Sequence, residues 1–405
     1  MESELSCVAQ TRNVKETIIQ NGCNQKLCFY NMEINNNDGR AKVIAYYLPQ
    51  FYPFEFNDKW YGTGFTEWTN VGKAKPLFHG HYQPKVPADL GYYDLRLPEV
   101  AEEQVALARE AGIFGFAYWH YWWAGKRLLD MPAERMLKTM KPDYPFMFAW
   151  ANESWYKKLW NTDTKKDTLI MEQTYPGEDD NRVHFEYCLP FFKDKRYITF
   201  DGRPVFFIYK PLRFENIKEF MTQWNTWINE AGVADSFYWM AMSETTDEEF
   251  NKIKSLGFDC VSFMHTGCRM GASVENNDLS HALYSLRIRI NYLLRRPLMF
   301  DYRKIIHSVW VERFDSREDV APMIIPNWDH TARSGMKGYL FTHSTPELFE
   351  KMAMNVLGHV RSKKNKIVML KSWNEWAEGN YMEPDLKFGH GYIKALCKAI
   401  DANAK

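Results

Sequence analysis

Short apolar runs recur along the chain from residue 42 onward, and each gives way to polar or aromatic residues. The runs are continuous rather than alternating, which is typical of strands that are buried on both faces of a parallel sheet. Eight runs have this character, and we predict a strand at each: Val43–Tyr47, Phe114–Trp119, Phe146–Trp150, Val205–Tyr209, Phe237–Met242, Cys260–Phe263, Met323–Asn327 and Ile367–Leu370.

Amphipathic segments with helix start and stop signals lie between these strands. One begins near Pro98 and stops at Gly112, and another opens with a capping pattern from Thr246 to Glu249. The last predicted helix spans about residues 391–402. Strand followed by helix, repeated along the chain, predicts a (β/α)8 TIM barrel with insertions in its loops, and a doubly wound open sheet is the alternative.

Two regions lie outside this repeating pattern. Residues 1–40 are polar and Asn-rich, so we predict an N-terminal arm outside a single catalytic barrel of residues 41–405. Residues 264–322 are less regular and form a predicted insertion between the sixth and seventh strands. The basic stretch 286–296 within it suits a membrane surface or an anionic glycan, although a solvated helix face is the simpler interpretation.

Composition and charge exclude several classes of protein. Lys plus Arg balances Asp plus Glu at 51 each, so no global field favours nucleic acid or an anionic membrane. The seven cysteines are scattered without zinc-like spacing, which fits a reducing compartment. No signal-peptide core or membrane-spanning run is present, so we expect a cytoplasmic protein, although removal of a leader would give the same sequence.

The nucleotide-binding signatures are also missing. No GxGxxG follows the first strand, and GxxxxGK[ST] does not occur. Aromatic residues, in contrast, make up 16% of the chain, with 15 Trp and 23 Tyr. A large aromatic core accounts for part of them, and the rest suit a cleft in which flat rings stack on sugars.

Polar side chains follow the predicted strands directly, where a barrel builds its active site. These residues are Gln50, His120, Asn152, Glu153, Glu244, Asp329, His330 and Glu375. Asn152-Glu153 suits either a hydrogen-bonded loop closure or the binding of sugar hydroxyls. For Asp329-His330 we favour hydroxyl binding over a metal site, because two adjacent ligands are weak evidence for a metal.

The densest cluster of acidic residues follows the eighth strand. On a helical turn, Glu375 and Glu378 would share a face with their Cβ atoms about 5–6 Å apart, close to the roughly 5–5.5 Å between the carboxyl groups of retaining glycosidases. Two close carboxylates cannot both ionise freely, so one becomes a proton donor. Acidic residues are also common at the solvated start of a helix. The flanking Trp373 and Trp376 favour a catalytic pair over that interpretation.

Three segments resemble the WbsX-like proteins, which are related to glycoside hydrolase family 99: residues 46–53, 64–71, and 373–379 with Glu383-Pro384. The resemblance implies a (β/α)8 barrel and a retaining endo-α-mannosidase mechanism that passes through a 1,2-anhydro sugar. It implies that Glu375 deprotonates the substrate's 2-hydroxyl and that Glu378 is the acid/base. It implies no metal and no organic cofactor.

We therefore predict a retaining glycoside hydrolase that acts on an α-linked glycan, either mannose-like or a bacterial surface polysaccharide. A glycosyltransferase of O-antigen or capsule synthesis and a non-catalytic glycan-binding barrel are the alternatives. We expect an oligosaccharide or polysaccharide partner and no nucleic acid, and the oligomeric state stays open. The residues that we predict to bind substrate are Tyr47, Gln50, Tyr52, Trp68, His120, Trp122, Asn152, Glu153, Glu244, Asp329, His330, Trp373, Asn374, Trp376 and Glu383.

Overall fold

Eight parallel strands form a barrel. The computed structural model describes residues 34, 39–157, 168–243, 246–263, 286, 289–291, 293–294 and 296–404. The barrel strands are β1 (Lys42–Tyr47), β2 (Gly115–His120), β3 (Phe146–Trp150), β4 (Arg203–Ile208), β5 (Tyr238–Ser243), β6 (Cys260–Phe263), β7 (Met323–Ile324) and β8 (Ile367–Leu370).

Hydrogen bonds connect the strands in the order β6-β5-β4-β3-β2-β1-β8-β7. Contacts between β6 and the residues just before β7 close the circle. The Val261 N–H donates to the Asp319 carbonyl at 3.0 Å, and the Ala321 N–H donates to the Val261 carbonyl at 2.9 Å. The predicted TIM barrel is therefore confirmed, and the open-sheet alternative is wrong.

Strand β7 is shorter than we predicted from its apolar run. The run continues to Asn327, but the strand ends at Ile324. Pro326 has no N–H for a ladder, and the Ile325 carbonyl accepts a hydrogen bond from the Tyr302 hydroxyl at 2.6 Å instead. The chain thus leaves the barrel early and enters the loop that carries Asp329.

The longer helices surround the barrel. They are α1 (Pro98–Glu110), α2 (Met131–Thr139), α3 (Glu178–Phe192), α4 (Ile217–Glu230), α5 (Asp247–Ser255), α6 (Pro346–Val360) and α7 (Gly391–Ala402). The Thr246 hydroxyl caps α5 by accepting from the Glu249 N–H, as the sequence pattern indicates. The apolar pattern did not reveal α3, because Asn181 and His184 occupy buried positions on its inner face.

Shorter elements decorate the loops. Short helices span Glu55–Tyr61, Glu67–Lys73, Tyr302–Ile305, Glu312–Asp315 and Thr331–Ser334. Antiparallel ribbons join Trp122–Trp123 to Lys126–Arg127, Trp155–Lys157 to Thr168–Met171, and Asn374–Glu375 to Asn380–Tyr381. Thr199–Phe200 extends β4 in antiparallel fashion, and Leu298–Asp301 pairs in parallel with Tyr339–Thr342. Most of these elements lie in loops that follow barrel strands, where the site is built.

Aromatic side chains fill much of the core. Tyr46 on β1 stacks on Trp119 of β2 with ring centroids 4.7 Å apart, and Phe207 of β4 packs edge-on against Tyr46 at 5.4 Å. Tyr46 and Phe207 are fully buried. These contacts support the interpretation that part of the aromatic content serves packing.

Most of the predicted arm and much of the predicted insertion lie outside the described residues, so those two boundaries stay predictions. Among the helices that the structure describes, none combines the length and the apolar character that crossing a bilayer requires.

Candidate active site

The residues after β8 form a tight loop that carries both predicted catalytic glutamates. Asn374–Glu375 pairs with Asn380–Tyr381, and a single 3-10 turn, Trp376–Glu378, lies between them. Residues three apart eclipse one another in this kind of turn. Glu375 and Glu378 therefore lie on one side of the loop, through a 3-10 turn rather than an α-helix.

The guanidinium of Arg333 joins three carboxylates, two from the loop after β8 and one from the loop after β1. Its Nη2 lies 2.5 Å from Glu375 Oε1, and its Nη1 lies 2.6 Å from Glu378 Oε1. Its Nε donates to Glu67 Oε2 at 3.2 Å. Arg333 belongs to the short helix after β7, and Glu67 opens a short helix after β1. A planar fork with several fixed N–H groups can hold carboxylates in this way, whereas an ammonium lacks the geometry.

The two glutamates have opposite pKa shifts. Burial raises the pKa of Glu375 to about 8, with the charges of Glu378 and Glu67 adding to the effect and Arg333 opposing it. Burial also works against ionisation of Glu378, but the Arg333 charge and the hydrogen bond from His330 outweigh it and hold the pKa of Glu378 below its ordinary value. The pair can thus hold one proton near pH 7, and the opposite shifts favour Glu375 as its site.

Further polar groups surround this pair. Tyr121 directly follows β2, and burial together with the charge of Glu375 raises the pKa of its hydroxyl, which hydrogen-bonds to the Gln50 side chain. Lys371 directly follows β8, and burial lowers its pKa against the attraction of Glu378 and Glu375. The charge of Glu153 acts on both Tyr121 and Lys371.

His330 lies on the other flank of the pair. Its Nε2 is 3.5 Å from Glu378 Oε1, and its Nδ1 is 2.5 Å from the Ser334 hydroxyl. The structure therefore brings together Gln50, Glu153 and His330 around the two catalytic candidates. Their predicted contact with substrate stays a prediction, which this arrangement supports.

Asn374 and Asn152 each connect the ends of two neighbouring strands. The Asn374 Oδ1 accepts from the Leu48 N–H at 2.7 Å, and its Nδ2 donates to the Leu48 carbonyl at 3.0 Å. The Asn152 side chain makes the same two bonds to Lys210, at 2.7 and 3.0 Å. Both side chains are buried. This geometry favours a loop closure over the sugar contact that we predicted for them.

A buried hydrogen-bond network centred on Glu383 holds the Trp376 side chain. Glu383 accepts from Trp376 Nε1 at 2.6 Å, from Gln104 Nε2 at 2.7 Å and from the Tyr93 hydroxyl at 3.0 Å. Tyr47 in turn donates to Gln104 at 2.8 Å. Burial raises the pKa of Glu383 to about 7.

The aromatic and acidic residues of this network have little surface to offer a sugar. Trp373 is fully buried, and Trp376, Tyr47 and Glu383 are each at most 2% exposed. Trp376 stacks on Tyr381 with ring centroids 3.8 Å apart. These four residues therefore support the site rather than line it, in contrast to the direct contact that we predicted.

Asp329 fixes the end of the loop that carries Glu375 and Glu378. Its N–H donates to the Glu378 carbonyl at 2.6 Å, and its Oδ2 lies 3.0 Å from His81 Nε2 and 2.7 Å from Gln83 Nε2. Gly379 has a φ of 57°, and a Cβ there would lie 2.6 Å from the Asp329 Cβ, so glycine is required. Asp329 is 2% exposed, which favours a structural role over the hydroxyl contact that we predicted.

The remaining predicted residues lie at different places. Trp68 is half-buried beside Trp376, with ring centroids 5.5 Å apart, and stays a candidate for sugar stacking. Tyr52 is buried near Asp130 at the start of α2. Glu244 lies outside the described residues.

His120 and Trp122 turn toward α3. His120 Nε2 is 2.7 Å from His184 Nε2, and Trp122 Nε1 donates to Asp180 at 3.2 Å. Both side chains are buried. This placement contrasts with the sugar contact that we predicted for them.

Four residues of the site were absent from the predicted set: Arg333, Glu67, Tyr121 and Lys371. Two signals were available in the sequence. Arg333 stands three residues after His330, and buried acidic residues require a cation nearby. Glu67 lies within one of the resembling segments, next to Trp68.

Comparison with known proteins identifies relatives. The family model for glycosyltransferase WbsX matches residues 43–396. Curated proteins from two strains of Xanthomonas campestris pv. campestris, each named uncharacterized protein WxcX, are 30% identical over 369 residues. The alignment covers 89% of this chain and 50% of each relative, so the chain spans about half their length.

Two solved structures share the barrel. A glycoside hydrolase-like protein superposes with a TM-score of 0.56 at 16% identity, covering 93% of this chain and 97% of that one. The GH99 endo-alpha-mannosidase from Bacteroides thetaiotaomicron superposes with a TM-score of 0.52 at 13% identity, covering 91% and 98%. At such identities the likeness shows the fold. The match over residues 43–396 shows that the chain belongs to the WbsX glycosyltransferase family.

Proposed function

We propose that the protein is a retaining glycoside hydrolase that cleaves an α-linked glycan with help from the substrate's own 2-hydroxyl. One observation carries the proposal: Glu375 and Glu378 share Arg333, yet their pKa values move in opposite directions. A protonated and an ionised carboxylate side by side can donate one proton and accept another, as glycoside cleavage requires. The pair follows β8, at the barrel end where active sites are found.

The resemblance to family 99 gives each glutamate a role. Glu375 would take the proton of the 2-hydroxyl, whose oxygen attacks C1 while the bond to the leaving oxygen breaks. Glu378 would protonate that leaving oxygen and then activate the water that opens the 1,2-anhydro sugar. The same resemblance suggests a mannose-like sugar or a bacterial surface polysaccharide as substrate.

In the unliganded protein the pKa shifts favour the proton on Glu375, the residue that these roles make the base. Arg333 and His330 lower the pKa of Glu378, and burial raises the pKa of Glu375 to about 8, so the proton favours Glu375. With these roles, substrate binding must move the proton from Glu375 to Glu378. A bound sugar that draws Arg333 away from Glu378 would favour this transfer, because the two carboxyl groups titrate as one unit.

A hydrolysis screen against α-linked polysaccharides tests the proposal, with the product anomer followed by NMR. We expect retention of configuration, and we expect Glu375→Gln and Glu378→Gln each to lower turnover at least about 100-fold. Glu230→Gln, an exposed residue at the end of α4, is the matched control and should be fully active. Inversion, or full activity in either catalytic variant, would refute the mechanism.

Glycosyl fluorides assign the two roles. Fluoride leaves without protonation, so a variant that lacks only the acid keeps the first step. The assignment predicts that Glu378→Gln still releases fluoride in the first step, seen as a burst, and that Glu375→Gln does not. The reverse result would exchange the roles and agree with the proton position in the unliganded protein.

A glycosyltransferase is the second candidate, because the matching family model carries that description. Calorimetry with nucleotide sugars separates the two candidates. A hydrolase of the proposed kind gives no saturable heat with any nucleotide sugar. Saturable binding together with transfer to an acceptor glycan would replace the hydrolase proposal, and glycan binding without turnover would indicate a non-catalytic barrel.

A further inference from the structure

A second cluster of reactive side chains lies between β2 and α3, outside the proposed catalytic machinery. His120 Nε2 and His184 Nε2 are 2.7 Å apart, and Cys188 Sγ is 3.9 Å from His120 Nε2. The potential ligand atoms of the three residues all lie within 4.8 Å of one another. Each of the three side chains is buried. Two imidazoles and a thiol thus converge on one point inside the protein.

Rigid elements hold these three residues. His120 is the last residue of β2, and His184 and Cys188 are four residues apart on α3. Side chains four apart on a helix lie on the same face, and here that face packs against the strand. The ligand positions are therefore set by the barrel itself and not by a loop.

We propose that His120, His184 and Cys188 bind one transition-metal ion of the zinc type. A tetrahedral zinc ion has Zn–N bonds of about 2.0–2.1 Å and Zn–S bonds of about 2.3 Å, so two nitrogens lie roughly 3.3 Å apart and a nitrogen and a sulfur roughly 3.6 Å apart. The observed separations of 2.7 and 3.9 Å lie on either side of these values. The third pair, His184 and Cys188, lies within 4.8 Å, so bringing all three ligand atoms onto one ion requires side-chain adjustments of about 1 Å.

The ligand types decide the class of ion. Imidazole and thiolate suit zinc and copper(I), whereas magnesium and calcium prefer oxygen ligands. A cavity of about 10 Å³, lined in part by Tyr187, lies beside His120. That volume is roughly what one water molecule needs, and of the three proposed ligands His120 lines it.

A nearby positive charge opposes the ion only weakly. Arg127 is the charged group that acts on His120 and Cys188. Its Nη1 lies 2.6 Å from Glu134 and 3.4 Å from Asp130, which offset its charge. The simpler interpretation of the cluster is a hydrogen-bonded histidine pair beside an inert core cysteine, and the experiment below separates it from a metal site.

Binding involves no oxidation. The Cys188 thiol releases its proton to solvent, and a bond from the thiolate to the ion replaces the S–H bond. The two neutral imidazoles each donate a lone pair. The bound ion would fasten α3 to β2, immediately before Tyr121, which lies beside Glu375.

Cobalt(II) titration of the full chain, stripped of metal by a chelator, tests the site. We expect one Co²⁺ per chain, a near-ultraviolet thiolate-to-cobalt absorption band, and loss of that band when Zn²⁺ displaces Co²⁺. Cys188→Ala should abolish the band and weaken Zn²⁺ binding more than about 100-fold. Cys397→Ser, which removes a cysteine elsewhere, is the matched control and should behave like the wild type.

Some outcomes would overturn the proposal. A wild-type chain that gives no thiolate band with Co²⁺ has no such site, and a band that persists in Cys188→Ala arises elsewhere. If Cys188→Ala does not fold, the wild type decides the question alone. Its Tm should fall on chelation and return with Zn²⁺, and an unchanged Tm together with no band would rule the site out.

Discussion

Two Asn-Glu pairs follow strands of the barrel, Asn152-Glu153 and Asn374-Glu375. Their asparagines make the same hydrogen bonds, but their glutamates have different surroundings. Asn152 after β3 and Asn374 after β8 each bind both backbone groups of a residue at the end of the neighbouring strand. Their glutamates differ. Glu375 contacts Arg333 in the company of Glu378, whereas half-buried Glu153 acts on Tyr121 and Lys371.

The two pairs show that the local sequence determines the backbone geometry, whereas contacts from distant loops determine the chemistry. The asparagine sets the backbone, because its amide can replace a missing ladder partner on the next strand. The chemistry of the glutamate depends on what other loops bring to it. At β8 those loops bring Arg333 and Glu67, which make the carboxyl of Glu375 part of a coupled unit.

The largest expected difference between Glu375 and Glu153 is the loss of activity when each is replaced. On any hydrolysed glycan, Glu375→Gln should lower kcat by roughly 10³-fold, in the middle of the range for loss of a proton-transfer group. Glu153→Gln should act mainly through KM, by less than about 10-fold, as loss of a hydrogen bond to substrate would. Steady-state kinetics of both variants provide the measurement. Equal losses in kcat would break the distinction between the pairs.

The two asparagines, in contrast, should respond alike in stability. Replacing Asn374 or Asn152 with Ala leaves a buried N–H and a buried carbonyl without partners, which lowers the free energy of unfolding by roughly 2–4 kcal/mol. Urea unfolding of both variants tests this. Retained stability in either variant would show that its hydrogen bonds are replaced by water. Asn374→Ala should also lower activity, because it loosens the loop of Glu375.

Replacing Arg333 should change how activity depends on pH, because Glu375 has this arginine as a partner. Because Arg333 lowers the pKa of both Glu375 and Glu378, Arg333→Met should move the activity profile to higher pH and reduce kcat by about 10–100-fold. Arg333→Lys keeps the charge but loses the fork, so its profile should shift less. An unchanged profile in Arg333→Met would show that Arg333 does not control the proton of the pair.

The dependence of stability on pH provides the last comparison. The pKa of Glu375 rises from 4.5 to about 8 on folding, so its contribution is most favourable below about pH 4.5 and is lost as pH rises toward 8. Glu375→Gln removes this loss. The free energy of unfolding of the variant should gain on the wild type by up to about 1 kcal/mol per pH unit in that window. Glu230→Gln should show no such trend.

Much of the fold could be predicted from the hydrophobic pattern. Continuous apolar runs identified all eight strands, because burial on both faces leaves no room for polar alternation. The pattern did not find α3, where buried Asn181 and His184 disguise the apolar stripe. It also overextended β7, where Pro326 interrupts the ladder.

The site was predicted only in part. Glu375 and Glu378 stand in one local motif, so spacing alone could pair them. Glu67 precedes Arg333 by 266 residues in the chain. Only the closed barrel brings these two residues to the glutamate pair. The sequence also could not show which of the predicted substrate-binding residues are exposed. Trp373 and Asn374 are fully buried, so they lie beneath the site and not within it.

Carbon-13 NMR of glutamate carboxyl groups tests the central claim most directly. In protein labelled at glutamate, the account predicts one carboxyl that titrates near pH 8, as the raised pKa of Glu375 requires. That signal should vanish in Glu375→Gln, persist in Glu153→Gln and move to higher pH in Arg333→Met. A wild-type spectrum in which the Glu375 carboxyl is already ionised at pH 6 would contradict the shared proton on which the proposed mechanism depends.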